Sequence, residues 1–100
     1  MDLKIIVKPL AELDLDEAVR WYALENSELA ETFLYEFRDA VRAVSRSPLG
    51  FQKRYKTVRA FAMKKFPYNV YYIFDKETMF VIAVLHHKRN PKLWKKRKGF

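Results

Sequence analysis

The chain has no cysteine, which excludes a disulfide framework and any thiolate nucleophile or metal ligand. Its opening, Met1-Asp2-Leu3-Lys4, lacks a signal peptide's apolar run. Its longest apolar stretches, such as Met79 to Leu85, fall far short of the ~20 residues that a membrane span needs. A cytoplasmic protein without membrane association is therefore expected. No internal repeat or low-complexity tract occurs, so solenoid and fibrous classes drop out. Glycine is scarce, two in 100 residues, and one lies in Pro48 to Lys56, which reads as a surface loop. What the chain does have is apolar mass and positive charge. Half of the residues are hydrophobic and 16% aromatic, which sets it apart from disordered sequences. One domain spanning residues 1–100 is expected, and at this size it buries about 60–70% of its unfolded surface. Twenty Lys and Arg against twelve acids give a formal charge of +8, and eleven of those twenty lie between Arg59 and Lys98. A concentration of this kind points to an anionic partner, either nucleic acid or an acidic polypeptide.

The pattern alternates between helix and strand signals. Leu3 to Lys8 is β-branched at its centre and stops at Pro9, as an edge strand would. Asp14 with Glu17 three residues on resembles a capping box, after which Leu15, Ala18, Val19 and Tyr22 share one helical face. That spacing predicts a first helix from Asp14 to about Glu25. Asn26-Ser27 offers a turn and a new N-cap. Ala30, Phe33, Leu34, Phe37, Ala40, Val41 and Val44 then recur at three- and four-residue steps until Ser47-Pro48 ends the second helix. Helices joined so tightly pack antiparallel. Val58 to Lys65 reads as a strand with Phe61 and Met63 on one face. Tyr68–Phe74 and Met79–Leu85 form a hairpin around the polar turn Asp75-Lys76-Glu77-Thr78. Pairing Phe74 with Met79 sets Tyr72 opposite Val81, Val70 opposite Ala83 and Tyr68 opposite Leu85. It places Asn69, Tyr71, Ile73, Phe80, Ile82, Val84 and His86 on the other face. Asn90-Pro91 reads as the start of a short C-terminal helix carrying Leu93 and Trp94. The order βααβββ predicts an α+β fold of two layers, an antiparallel helical hairpin packed on an antiparallel sheet.

The candidate chemistry gathers at the open end of the hairpin. His86 and His87 are the only histidines. Adjacent strand residues point to opposite faces, so the pair cannot readily chelate one metal, and no metal or cofactor is expected. One imidazole can instead act as a general acid or base. Lys64, Lys65, Lys88 and Arg89 leave neighbouring strand ends and could hold a phosphate. By alternation, Tyr71 is the tyrosine free to meet a ligand, whereas Tyr68 and Tyr72 belong to the core.

With these residues in view, the chain resembles the RelE/ParE superfamily of toxins from type II toxin–antitoxin modules. The resemblance is carried by Asp14-Leu15-Asp16-Glu17-Ala18 leading to Trp21-Tyr22, by Arg59, and by Phe66-Pro67-Tyr68 with Val70-Tyr71-Tyr72. It continues through Ala83 to Pro91 with Trp94 and Arg97. It implies the same βααβββ fold and a cognate antitoxin that wraps the toxin in a hetero-oligomer. It implies one of two activities: metal-independent cleavage of mRNA on the ribosome, or poisoning of DNA gyrase. In the nuclease reading His86 or His87 supplies the acid or base. Lys64, Lys65, Arg89, Tyr71, Asn69 and Arg59 form the substrate- or phosphate-binding set. RelE-like nucleases carry arginine at the position that reads Asn69 here, which counts against cleavage. The sequence leaves both activities open, together with a toxin-like fold that only binds its antitoxin.

Overall fold

The second helix forms where the periodicity is strongest. In the computed structural model, which describes residues 3–89, helix α2 spans Ser27–Ser45 and buries Ala30, Phe33, Phe37, Val41 and Val44. Asn26 caps it, its Oδ1 accepting the Glu28 N–H at 2.8 Å. Helix α1 spans Pro9–Glu25 and packs against α2. It starts five residues before the expected Asp14. Pro9 occupies the first helical turn, where its missing N–H costs nothing. The proline that ends the first strand thus also starts the helix. Asp14 is not a cap but a mid-helix residue with a different task.

Strand β1 is Lys4–Val7, followed after the helices by a short 3-10 turn at Pro48–Gly50. Then come β2 (Lys53–Tyr55), β3 (Val58–Ala62), β4 (Tyr68–Asp75) and β5 (Thr78–His86). The sheet runs in the order β1-β5-β4-β3-β2. Two expectations are corrected here. The stretch expected as a loop contains β2, and β1 lies parallel to β5, so the sheet is mixed and not antiparallel. The second follows from the first. Each hairpin reverses the chain, and the extra reversal at β2 brings β5 out running the same way as β1. The short C-terminal helix expected from Asn90 lies outside the described residues.

The β4–β5 hairpin turns where expected, with Asp75 paired to Thr78 and Phe74 to Met79. The register holds as far as Tyr72 opposite Val81 and then shifts, so that Val70 pairs with Val84 and Tyr68 with His86. Ile82 is the extra residue of a β-bulge. Because strand faces alternate with period two, one extra residue exchanges the faces of everything beyond it. Met79, Val81 and Val84 join Phe33, Phe37, Val70 and Tyr72 in the core under the helices. Ile82, Ala83 and Leu85 join Val58, Ala60 and Tyr71 on the far face. Ala83, Val84, Leu85 and His86 therefore lie on the faces opposite to those expected.

The bulge is tied to α1. The Val84 N–H donates to Asp14 Oδ2 at 2.9 Å. Asp14→Ala would leave that part-buried amide without this acceptor, at a cost of about 1–3 kcal/mol. Asp14→Asn, which keeps an acceptor oxygen, is expected to cost less. Equilibrium unfolding of the two variants, with hydrogen exchange read at Val84, checks the difference.

Candidate functional site

A strand end becomes a cleft when a helix passes beside it. The mid-section of α1 lies along the end of β5, because the sheet order puts β5 between β1 and β4 and the helices cover that face. Glu17, Arg20, Trp21 and Leu24 from α1, Tyr68 from β4, His86 from the end of β5 and Arg89 from the turn after it line a cleft of about 410 Å³. A small recess beside it, about 30 Å³, reaches Asp14, Val84 and Leu85.

His86 faces this cleft because of the bulge at Ile82, and its ring meets Tyr68 edge to face with centroids 5.2 Å apart. Its Nδ1 accepts the Lys88 N–H at 3.0 Å, which places the proton of the neutral ring on Nε2. Burial raises the Tyr68 hydroxyl pKa above its ordinary value of 10.0. Tyr22 and Glu17 add to the shift and Arg89 opposes it. The phenol is therefore neutral at physiological pH and offers no base. Arg89 Nη1 sits 3.4 Å from Glu17 Oε1, both side chains about half exposed or more. Such a pair adds little stability, yet it places a carboxylate against one of the cleft's cations.

Of the residues expected to form a site, the fold brings His86 and Arg89 into the cleft. The others are elsewhere. His87 is exposed, its backbone N–H donating to Pro67 O at 2.8 Å, and its ring centroid lies 6.5 Å from that of His86. Lys64 and Lys65 are exposed in the turn between β3 and β4 at the same end of the sheet. They do not line the cleft, and the Lys65 backbone is fastened to α2 through Glu36 Oε1 at 2.7 Å. Tyr71 is buried in the far-face cluster, so the tyrosine that meets the cleft is Tyr68. Asn69 is half-buried within β4, paired with Ala62 and Leu85. Arg59 is half-buried and donates to the Phe51 carbonyl at 2.6 Å, fixing the segment before β2. Glu17, Arg20, Trp21 and Leu24 were not among the expected site residues. Their signal was a second apolar stripe on α1, off the Leu15–Tyr22 face. Among the described residues no group of three His, Asp or Glu side chains could hold a metal ion, and no helix is long and apolar enough to cross a membrane.

A second concavity lies on the opposite flank of α1, between the helices and β1. Ile5, Val7, Leu15, Leu34, Phe37 and Val41 give it an apolar floor of about 300 Å³, with Glu12, Arg38 and Arg42 also lining it. Beside it runs β1, which among the described residues is a terminal strand of the sheet and pairs only with β5.

Comparison with known proteins gives a family and a fold. The sequence model of the family described as "ParE toxin of type II toxin-antitoxin system, parDE" matches residues 5–91. Comparison with curated proteins gives no significant match. Among solved structures, the fold is similar to one described as "Chromosomal ParDE TA system from P. aeruginosa". The TM-score is 0.74 at 14% identity, covering 84% of this chain and 95% of that one.

Proposed function

Since the chain belongs to the ParE family of toxins of type II toxin–antitoxin systems, we propose that it arrests growth by poisoning DNA gyrase through surface recognition and not by cutting RNA. The observation that carries this reading is Glu17. A ribonuclease of this fold needs an acid or base beside cations that stabilise a dianionic phosphorane-like centre. Here the one imidazole in the cleft is accompanied by a carboxylate that engages Arg89 and offsets its charge, leaving Arg20 as the other cation of the lining. Lys64 and Lys65 line neither that cleft nor its recess, and Asn69 offers no charge. The reading is tested by inducing the toxin in cells and following isotope incorporation. DNA synthesis is expected to fail before protein synthesis. An early, selective failure of translation would overturn the reading.

The antitoxin of this system, by the same proposal, enters the groove beside β1. An amphipathic segment of the antitoxin sets apolar side chains on Leu34, Phe37 and Val41, and an extended segment adds to the edge of β1 that no other described strand pairs with. Arg38 and Arg42 suit an acidic partner. Both are exposed on α2, so Arg38→Glu with Arg42→Glu should leave the fold intact. Antitoxin affinity is expected to weaken at least tenfold, mainly through slower association, as measured by surface plasmon resonance at two salt concentrations.

A further inference from the structure

Helix α1 is apolar on two sides. One side, with Ala11, Ala18, Leu15, Val19 and Tyr22, packs in the core. On the other, Leu10, Leu13, Trp21 and Leu24 are 46%, 59%, 62% and 85% exposed, four of the six exposed large hydrophobic side chains among the described residues. At about 100° per residue these four and Glu17 fall within an arc of about 80°, a continuous stripe down the helix. Scattered surface leucines need no explanation, but four in line, with a tryptophan among them, mark an interaction surface.

The order of residues in the stripe says what covers it. Read from either end, it has the same chemistry about Glu17: Leu10 is as far before Glu17 as Leu24 is after it. Leu13 and Trp21 are likewise equidistant. A two-fold axis through Glu17 therefore sets leucine against leucine and leucine against tryptophan, which is what an isologous interface requires. The one like-charge contact, Glu17 with its own copy, is compensated because each Glu17 already pairs with an Arg89 at 3.4 Å. Two carboxylates and two guanidiniums then alternate around the axis. We propose that this protein self-associates through antiparallel packing of α1 against α1 of a second copy, centred on Glu17. The stripe is about 21 Å long and one helix face wide, narrower than the patch of about 800 Å² per partner in a standard interface. The dimer is therefore a weak, concentration-dependent one. The groove beside β1 is on the other flank of α1 and stays open in it, so two toxins joined this way can each hold an antitoxin. The inference does not depend on the toxin's target.

Sedimentation velocity of the free chain, over roughly 1–200 µM as suits a micromolar equilibrium, should show the mean mass rising towards that of a dimer. Trp21→Glu with Leu24→Glu should weaken association at least tenfold while circular dichroism and antitoxin binding stay unchanged, since both side chains are mostly exposed. The absence of native cysteine allows the register to be read directly with a short bis-maleimide. Glu17→Cys should cross-link to itself. Leu10→Cys and Leu24→Cys should cross-link when mixed and not when alone. A monomer at the highest concentration, a dimer indifferent to the Trp21 and Leu24 substitutions, or cross-linking of Leu10→Cys alone would each overturn the proposal.

Discussion

Phe33→Ala is expected to remove about 3–5 kcal/mol of stability, a large part of the 5–15 kcal/mol typical of a domain. Phe33 is fully buried and joins three elements through its ring. It stacks on Tyr22 of α1 with centroids 5.5 Å apart, and meets Phe66 and Tyr68 edge to face at 5.0 and 5.1 Å. Phe66 closes the turn into β4, and Tyr68 in turn supports His86. Truncation therefore leaves a void where both helices meet the sheet and removes three ring contacts at once. The melting temperature of the free chain should fall by on the order of 20 °C. The measurement belongs on the free chain, because bound antitoxin would raise the apparent stability by mass action. A fall of only a few degrees would mean that the aromatic cluster is not the centre of the core.

The double substitution His86→Ala, His87→Ala is expected to leave growth arrest in place. If either imidazole moved a proton in the reaction, its loss would cost ~10²–10⁴-fold in rate, and arrest would disappear at ordinary expression levels. In the gyrase reading the histidines have smaller tasks. The His86 ring fills the space beside Tyr68 and accepts the Lys88 N–H, and the His87 side chain is exposed. Some thermal stability should be lost through the Tyr68 contact, and antitoxin binding should persist because the groove beside β1 is untouched. Lys64→Ala and Lys65→Ala, which would weaken a nuclease, should likewise leave arrest unchanged. A folded double mutant that no longer stops growth would return the nuclease reading.

Much of the fold was legible, and the parts that were not have physical reasons. Helix α2 could be read because its apolar residues sit on one face and its cap is an asparagine. The hairpin could be read because its one polar interruption is its turn. Strand β2 could not, since Lys53-Arg54-Tyr55 is a three-residue edge strand without the β-branched composition of a buried one. With it went the direction of β1. The bulge at Ile82 is invisible in a run of residues that are all apolar, because either face suits them. Only Asp14 marks it, and Asp14 read as a cap. The site was half legible for the same reason. His86 and Arg89 stood out at a strand end, whereas Glu17, which meets Arg89 from 72 residues away, is brought there by topology alone. Arg59 looked like a ligand-binding cation but anchors a carbonyl. Tyr71 looked free until the bulge and the far-face cluster enclosed it.

The central claim, a toxin that acts on gyrase and not on RNA, is tested most directly by supercoiling of relaxed plasmid with purified gyrase, run beside programmed ribosomes. The toxin is expected to block supercoiling in a dose-dependent way, the antitoxin to reverse the block, and mRNA on the ribosomes to stay intact. Unimpaired supercoiling together with cleaved ribosomal mRNA would contradict that claim.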